Sequence, residues 1–238
     1  MKSTAIKNIT STWKDILHTI FPNICLACQK LPKARDAQFC VECLHQMPYT
    51  DHFFIPVNEV MIHLKGRAKI HHGAALLRFR EGGIVQQMLH QLKYRHKREV
   101  GEVLGDIAGN RFLESSLFIL PDVIIPVPIH AKKKLVRRYN QCTVFGEALG
   151  KVIGVRCDET ILVKHTQTAS QTGKSRSERI QNVANSFSIN KSQEISGRHI
   201  LLVDDVVTTG ATLEACCMIL ENHNPKSISI LTMAAAES

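Results

Sequence analysis

Two stretches of the chain hold residue types whose spacing can do chemistry. The first is LLVDDVVTTGATL, residues 201–213. Leu201, Leu202 and Val203 form a short apolar run, β-branched at its end, that predicts a buried strand. Asp204 and Asp205 stand where that strand should leave the sheet. Thr208, Thr209, Gly210, Ala211 and Thr212 follow as a loop of small residues, several bearing hydroxyls. Leu213, Cys216, Cys217 and Leu220 then recur at helical spacing. Amides and hydroxyls at a helix start hold a phosphate, while two carboxylates beside them accept from sugar hydroxyls or approach a cation. The order predicts an anion site with a diol clamp next to it.

The second stretch pairs CLAC, at Cys25 and Cys28, with CVEC, at Cys40 and Cys43. Two such knuckles offer four thiolates in a tetrahedron around one Zn²⁺. Disulfides are the rival in an oxidising compartment, a redox pair would not need its second copy, and an iron–sulfur cluster uses similar ligands. A segment this short cannot build a core, so bound metal would hold it together, contributing on the order of 10 kcal/mol. Zinc there is expected to be structural. Cys142, Cys157, Cys216 and Cys217 show no ligand spacing, and the last two fit a buried helix face.

The rest of the chain must position these groups. Its 238 residues suffice for one substantial domain and a small appendage. Only 5% of residues are aromatic, which argues against base stacking as the main device, and a formal net charge of +9 favours anionic partners such as phosphates or nucleic acid. No apolar run reaches membrane-spanning length. Ile6, Ile9, Trp13, Ile16, Leu17 and Ile20 predict an amphipathic helix whose charges make a poor secretory signal, so a cytoplasmic location is expected. The boundary is placed in the polar connector, giving residues 1–55 as a helix with the cysteine element and 56–238 as the main domain.

Within that domain AALLRFR, DVIIPVP, ETILVKH, RHILLVDD and SISILTMA predict strands, with DVII stopped by Pro126 and Pro128. GIVQQMLHQLKY, REVGEVLGDIAG, QCTVFGEALGKVI and the segment after Gly210 predict helices, and the charges Lys93, Arg95, Lys97 and Arg98 read as a solvated helix end or loop. Alternating strands and helices predict an α/β domain with a mostly parallel sheet, whose strand ends and loops line one ligand-binding edge. Three segments should meet there: the loop after DVII, the segment after ETILVKH, and the loop after ILLV. The first, PVPIHAKKKLVRRYNQ, is basic. The second, TQTASQTGKSRSERIQNVANSF, is long and polar, as a mobile lid would be. Two basic loops facing an acidic pair and a phosphate loop suit a substrate with a phosphate, a ribose and a second, more charged phosphate group.

These motifs resemble those of the type I phosphoribosyltransferases, and more closely the ComF family of competence-associated proteins. ILLVDDVVTTGAT resembles the motif for phosphoribosyl pyrophosphate (PRPP), CLAC…CVEC resembles the family's N-terminal zinc element, and IPVP, RRYNQ and SQTG…ER…NVANSF resemble its internal signatures in the same order. The resemblance implies a type I phosphoribosyltransferase fold, a mostly parallel sheet flanked by helices, with a small zinc-binding element. It implies Asp204 and Asp205 as the catalytic pair, meeting the ribose hydroxyls directly or through Mg²⁺ and its waters. Thr208, Thr209, Gly210, Ala211 and Thr212 would wrap the 5′-phosphate; Val127, Pro128 and the basic Arg137 would face the pyrophosphate; Gln171 and Arg179 would lie in a hood that closes over the site.

Two positions depart from the pattern. ComF members commonly have glycine where Arg138 stands, and losing it makes any special backbone angle there costlier. Purine-salvage enzymes place an acidic residue where Thr208 stands, so a purine acceptor is a weaker expectation. Three functions follow from the resemblance: a Mg²⁺-dependent phosphoribosyltransferase of unidentified acceptor, linked to DNA uptake and natural transformation; a competence module binding single-stranded DNA or DNA-uptake and recombination proteins; and a PRPP or nucleotide sensor.

Overall fold

The computed structural model describes residues 24–32, 38–165 and 186–237, which fall into two compact units divided between Met47 and Pro48. The expected helix over Ile6–Ile20 and the hood residues Gln171 and Arg179 lie outside the described residues. The smaller unit holds the four cysteines and one short helix, α1 (Val41–His45). Residues 48–55 belong to the larger unit, where the Thr50 amide donates to Leu76 O at 3.0 Å and Phe53 is fully buried.

The larger unit runs α2 (Glu59–Leu64), β1 (Gly73–Phe79), α3 (Ile84–Tyr94), α4 (Arg98–Glu114), β2 (Val123–Pro126), α5 (Ala131–Arg137), α6 (Gln141–Ile153), β3 (Leu162–Lys164), β4 (Phe187–Ile189), β5 (His199–Val207), α7 (Ala211–Glu221) and β6 (Ser227–Ala236). Four strands form a parallel sheet in the order β1-β6-β5-β2. Their side chains alternate between faces with the period of two that a pleated strand imposes. Ile125, Ile200, Leu202, Ile228 and Ile230 join α2 and α7 in one buried cluster through Val60, Leu64, Leu213, Cys216 and Cys217. Ile124 and Val203 point the other way, where a Cβ on Gly146 of α6 would lie 3.3 and 3.2 Å from them. The chain therefore leaves β2 toward one face and β5 toward the other. Adjacent parallel strands with diverging connections open a crevice at their carboxyl ends, the usual ligand position in open α/β sheets.

On its outer side α6 packs against α4, and the backbones nearly touch. A Cβ on Gly105 would lie 2.5 Å from the Phe145 carbonyl oxygen and 2.6 Å from Ala148 Cβ.

The structure corrects three expectations. ETILVKH forms β3, but β3 pairs antiparallel with β4 in a separate two-stranded sheet and does not join the parallel one. The basic segment after DVII is not a loop throughout: Ala131–Arg137 is the helix α5, started by His130 Nδ1, which accepts from the Lys132 amide at 3.1 Å. The acidic pair does not mark the end of its strand. β5 runs on to Val207, because Val206 and Val207 resume the ladder opposite Ala234 and Ala235.

Candidate functional site

At the carboxyl end of β5, residues Asp204 and Val206 to Leu213 line a small open cup of about 60 Å³. Gly210 makes the turn into α7 with φ +73°, in the left-handed region where a side chain is strained. A Cβ there would also press to 3.2 Å from Leu64 Cδ2. No side chain among the described residues caps the first turn of α7, so its amides are left to face the cup as an anion-binding end. Thr208 and Thr209 are exposed at its rim, and Ala211 and Thr212 are half-buried.

Arg67, in the segment after α2, holds this loop from behind. Its Nε donates to Glu214 Oε2 at 2.7 Å, and a second nitrogen, Nη2, closes the fork on the same carboxylate. Nη1 donates to His63 O and to Thr209 O, each at 2.7 Å. Turning the Thr209 carbonyl outward onto a guanidinium leaves the following amides for the cup. Nothing in the sequence near residue 67 announces this role.

The acidic pair sits beside the cup. Asp204 is buried, and its Oδ1 accepts from the Asp205 amide at 2.8 Å and from the Cys142 thiol at 3.4 Å. Burial first, then the neighbouring Asp205 charge, pushes the Asp204 carboxyl up to about 7, against the Asp205 amide, the Cys142 thiol and Lys93. Asp205 Oδ1 accepts from the Val206 amide at 2.7 Å, and its Oδ2 is 2.7 Å from Lys93 Nζ of α3. Lys93 is thus an ion-pair partner in the site, not part of a solvated helix end. Cys142, which had no apparent ligand spacing, touches the site through its thiol, and burial with the two aspartates holds that thiol protonated.

The loop after β2 extends the same edge. The Val127 amide donates to Val203 O at 2.8 Å, next to Asp204. Asn140, which caps α6 by accepting from the Cys142 amide at 3.1 Å, donates from Nδ2 to Val127 O at 3.0 Å. Val127 is buried and Pro128 is half-buried. Beside them Gln141 is fully buried with no side-chain partner among the described residues, a polarity that a buried water would satisfy. Arg137 is also buried: its guanidinium lies over the Tyr94 ring at 5.2 Å. Lys164, on β3, lies over the Phe187 ring at 4.6 Å. Burial lowers its pKa, with Lys133 adding to the effect and Cys216 and Asp204 opposing it.

In the smaller unit the four sulfurs of Cys25, Cys28, Cys40 and Cys43 lie within 4.8 Å of one another. The Cys28–Cys40 separation is 3.8 Å, which matches the edge of a tetrahedron with metal–sulfur bonds of about 2.3 Å, roughly 3.8 Å. Gln29 turns the first knuckle with φ +62°, and α1 carries Cys43 behind Cys40. Burial raises the Cys25 thiol, but the amides of Cys40, Cys28 and Ala27 outweigh it and bring it to about 7. Burial and then the neighbouring thiols push Cys43 up instead. Four thiolates coexist there only with a cation among them, and the donor set fits Zn²⁺.

The family described as Phosphoribosyl transferase domain matches residues 140–238, which contain the acidic pair and the cup. Competence protein F of Haemophilus influenzae is 28% identical over 241 residues, covering 92% of this chain and 93% of that protein. The DNA utilization protein YhgH of Escherichia coli is 28% identical over 60% of this chain, which spans 63% of its length. Competence protein ComFC of Bacillus subtilis is 25% identical, over 63% of this chain and 59% of that protein. The chain is thus similar to competence protein F over nearly its whole length, and its C-terminal part matches a phosphoribosyl transferase domain. Its fold is that of the type I phosphoribosyltransferases, preceded in the chain by a cluster of four cysteines.

Proposed function

We propose that this chain is a ComF protein that binds PRPP at the carboxyl edge of β2 and β5 and acts as a phosphoribosyltransferase linked to DNA uptake. The observation that carries the reading is the juxtaposition, near one strand end, of an acidic pair, Asp204 buried and Asp205 half-buried, and an uncapped helix start. The amides and hydroxyls of Thr208–Thr212 would hold the 5′-phosphate, Asp204 and Asp205 the ribose hydroxyls, and the loop at Val127 and Pro128 the diphosphate. Gln171 and Arg179 would belong to the closing hood. Arg137 would act by fixing the loop that leads into α6.

In the reaction the acceptor's nucleophile bonds to the anomeric carbon while the bond to the diphosphate oxygen breaks, and the diphosphate leaves with the electron pair. Positive charge develops on the sugar, where the carboxylate of Asp205 stabilises it. The cup and the diol clamp fix the ribose relative to the attacking atom, and closure excludes water, which would otherwise hydrolyse the sugar cation. The carboxylate oxygens suit a hard cation, and Mg²⁺ would neutralise the leaving diphosphate when bound. Asp204 and Asp205 would hold that ion, directly or through its waters. Zinc at Cys25, Cys28, Cys40 and Cys43 would be structural.

The similarity to competence protein F and to DNA utilization protein YhgH supports the link to DNA uptake. Calorimetric titration of PRPP, with and without Mg²⁺, tests the central reading. Binding should stabilise the folded protein by roughly 2.7 kcal/mol at a hundred times the dissociation constant, and Asp204→Asn with Asp205→Asn should abolish most of it. No heat and no change in melting across millimolar PRPP would sink the enzyme and sensor readings together. Metal analysis tests the cysteine site, where zinc retained by a Cys25→Ser, Cys40→Ser double variant would refute it.

A second reading is favoured by α5, where Lys132 and Lys133 are exposed and have no carboxylate partner among the described residues. On this reading the protein binds single-stranded DNA through phosphates, with affinity falling steeply as salt rises. Anisotropy at low and high salt tests it. An unchanged salt slope after Lys132→Ala with Lys133→Ala would exclude this surface.

A further inference from the structure

The ion pair between Lys93 and Asp205 closes the diol clamp of the unliganded site. The two groups stand 2.7 Å apart with side chains only 22% and 21% exposed. Lys93 is held there by its neighbours on both sides. The Leu92 carbonyl accepts from the Tyr139 hydroxyl, and the Tyr94 ring carries the Arg137 guanidinium. One turn on, His96 Nδ1 meets Arg137 O at 3.2 Å, with His96 itself in the left-handed region at φ +56°. The end of α3 is therefore locked to the turn between α5 and α6, whose Asn140 in turn holds Val127 O. Lys93 stands in the same neighbourhood as the acidic pair and the loop after β2.

A sugar diol that takes Asp205 must displace the ammonium from that carboxylate. The ammonium is then left largely out of water, and an uncompensated charge in such a place is costly. A ligand that brings its own anion next to the diol removes this cost, and one that brings the diol alone does not. We infer that Lys93 is a specificity-determining residue that passes from Asp205 to the diphosphate of the ligand, so that the site selects a phosphorylated sugar carrying a diphosphate over the same sugar 5-phosphate without one. This rests on the PRPP reading above and assigns to α3 a ligand contact that the phosphate loop and acidic pair do not supply.

The test compares PRPP with ribose 5-phosphate by calorimetry in the wild-type protein, Lys93→Met, Lys93→Arg and the double variant Lys93→Met with Asp205→Asn. The wild-type protein should prefer PRPP. Lys93→Met should weaken PRPP by roughly thirtyfold, as loss of one partner of a buried charge pair does, while ribose 5-phosphate binds as well as before or better. Lys93→Arg should restore much of the preference. The double variant removes the stranded carboxylate, so it should fold even where the single variant does not, and should again show no preference. Equal weakening of both ligands, or an intact preference in either Met variant, overturns the role of Lys93 while leaving the PRPP reading in place. Binding of neither ligand by the wild-type protein overturns both.

Discussion

Arg67→Ala is the substitution that should separate the loop leading into α7 from its support. It deletes the fork on Glu214, whose side chain is 7% exposed, and the donor shared by the carbonyls of His63 and Thr209. Removing one partner of a buried pair costs about 3–5 kcal/mol because the other charge stays behind. The Arg67 side chain is 18% exposed, so water reaches the vacated position, and about 3 kcal/mol is the better figure. With a urea slope of about 2 kcal/mol per molar, the unfolding midpoint should fall by roughly 1.5 M. Arg67→Lys should recover little, since an ammonium cannot bridge a carboxylate and two carbonyls as the planar fork does. Urea unfolding followed by circular dichroism reads the loss. A double-mutant cycle with Glu214→Ala then isolates the pair, which should couple by about 2 kcal/mol. A midpoint within a few tenths of a molar of wild type, or a coupling near zero, would refute the latch.

Three further outcomes follow. Gly105→Ala places a Cβ 2.5 Å from the Phe145 carbonyl oxygen; the two helices must separate, and a loss of about 1–3 kcal/mol is expected by urea unfolding, with an unchanged midpoint counting against the close contact. Arg138 ends α5 at φ +66°, so Arg138→Gly should relieve about 1 kcal/mol of left-handed strain and raise the melting temperature, and a lower one would contradict it. Burial lowers the pKa of His52 and of His72, and the Ala75 amide donating to His52 Nδ1 at 3.3 Å fits the neutral ring even though Glu59 lies 2.5 Å from Nε2. The unfolded chain takes up those protons near pH 6.5 and the folded chain does not, so stability is present above pH 6.5 and falls below it, by at most about 1.4 kcal/mol per pH unit for each ring. Asp204, raised to about 7, has the opposite sign, its stabilising effect being present in acid and lost as pH rises through that value. Asp204→Asn should therefore steepen the fall between pH 6.5 and 5, and unfolding midpoints that stay flat across that window in the variant would refute the assignment.

The elements with strong periodicity were legible in the sequence. The segment QCTVFGEALGKVI is α6, bounded by the Asn140 cap and by Gly154 at φ +73°. The strands β2 and β6 follow their apolar runs, and the four cysteines converge as their spacing requires. Where reading failed, local pattern and tertiary context disagreed. The residues AKKKLVR have no apolar stripe, and Leu135 and Val136 stay exposed at 80% and 72%, so nothing in the pattern distinguished the helix α5 from a loop. LVK in β3 has strand character, but its partner is the antiparallel segment Phe187–Ile189 and not the parallel sheet. Strand propensity does not choose the sheet a strand joins. Gly101, Gly105 and Gly109 were not singled out in the sequence, and their spacing gains meaning only when α6 lies against it.

The site divides along the same line. Residues that meet through their own local backbone were legible as neighbours: Asp204 and Asp205 lie together in β5, and the loop at Gly210 leads into α7. Residues that act across the fold were not. Arg67 reaches Glu214 over 147 positions and Lys93 reaches Asp205 from another layer, and both lie in stretches whose charges look like ordinary solvated surface. A carboxylate in a site must be balanced by something, and the sequence names the carboxylate but not the balance. The departure at Arg138 shows the converse. Its left-handed backbone is an angle for which glycine is suited, so the chain makes the turn with an arginine and bears the strain. That turn carries the Arg137 and Tyr139 contacts to α3, and with them the position of Lys93. Arg138→Gly should therefore leave the preference of the site for a diphosphate unchanged while it stabilises the fold. A variant that gained stability but lost that preference would show that the arginine side chain, and not the turn alone, places α3.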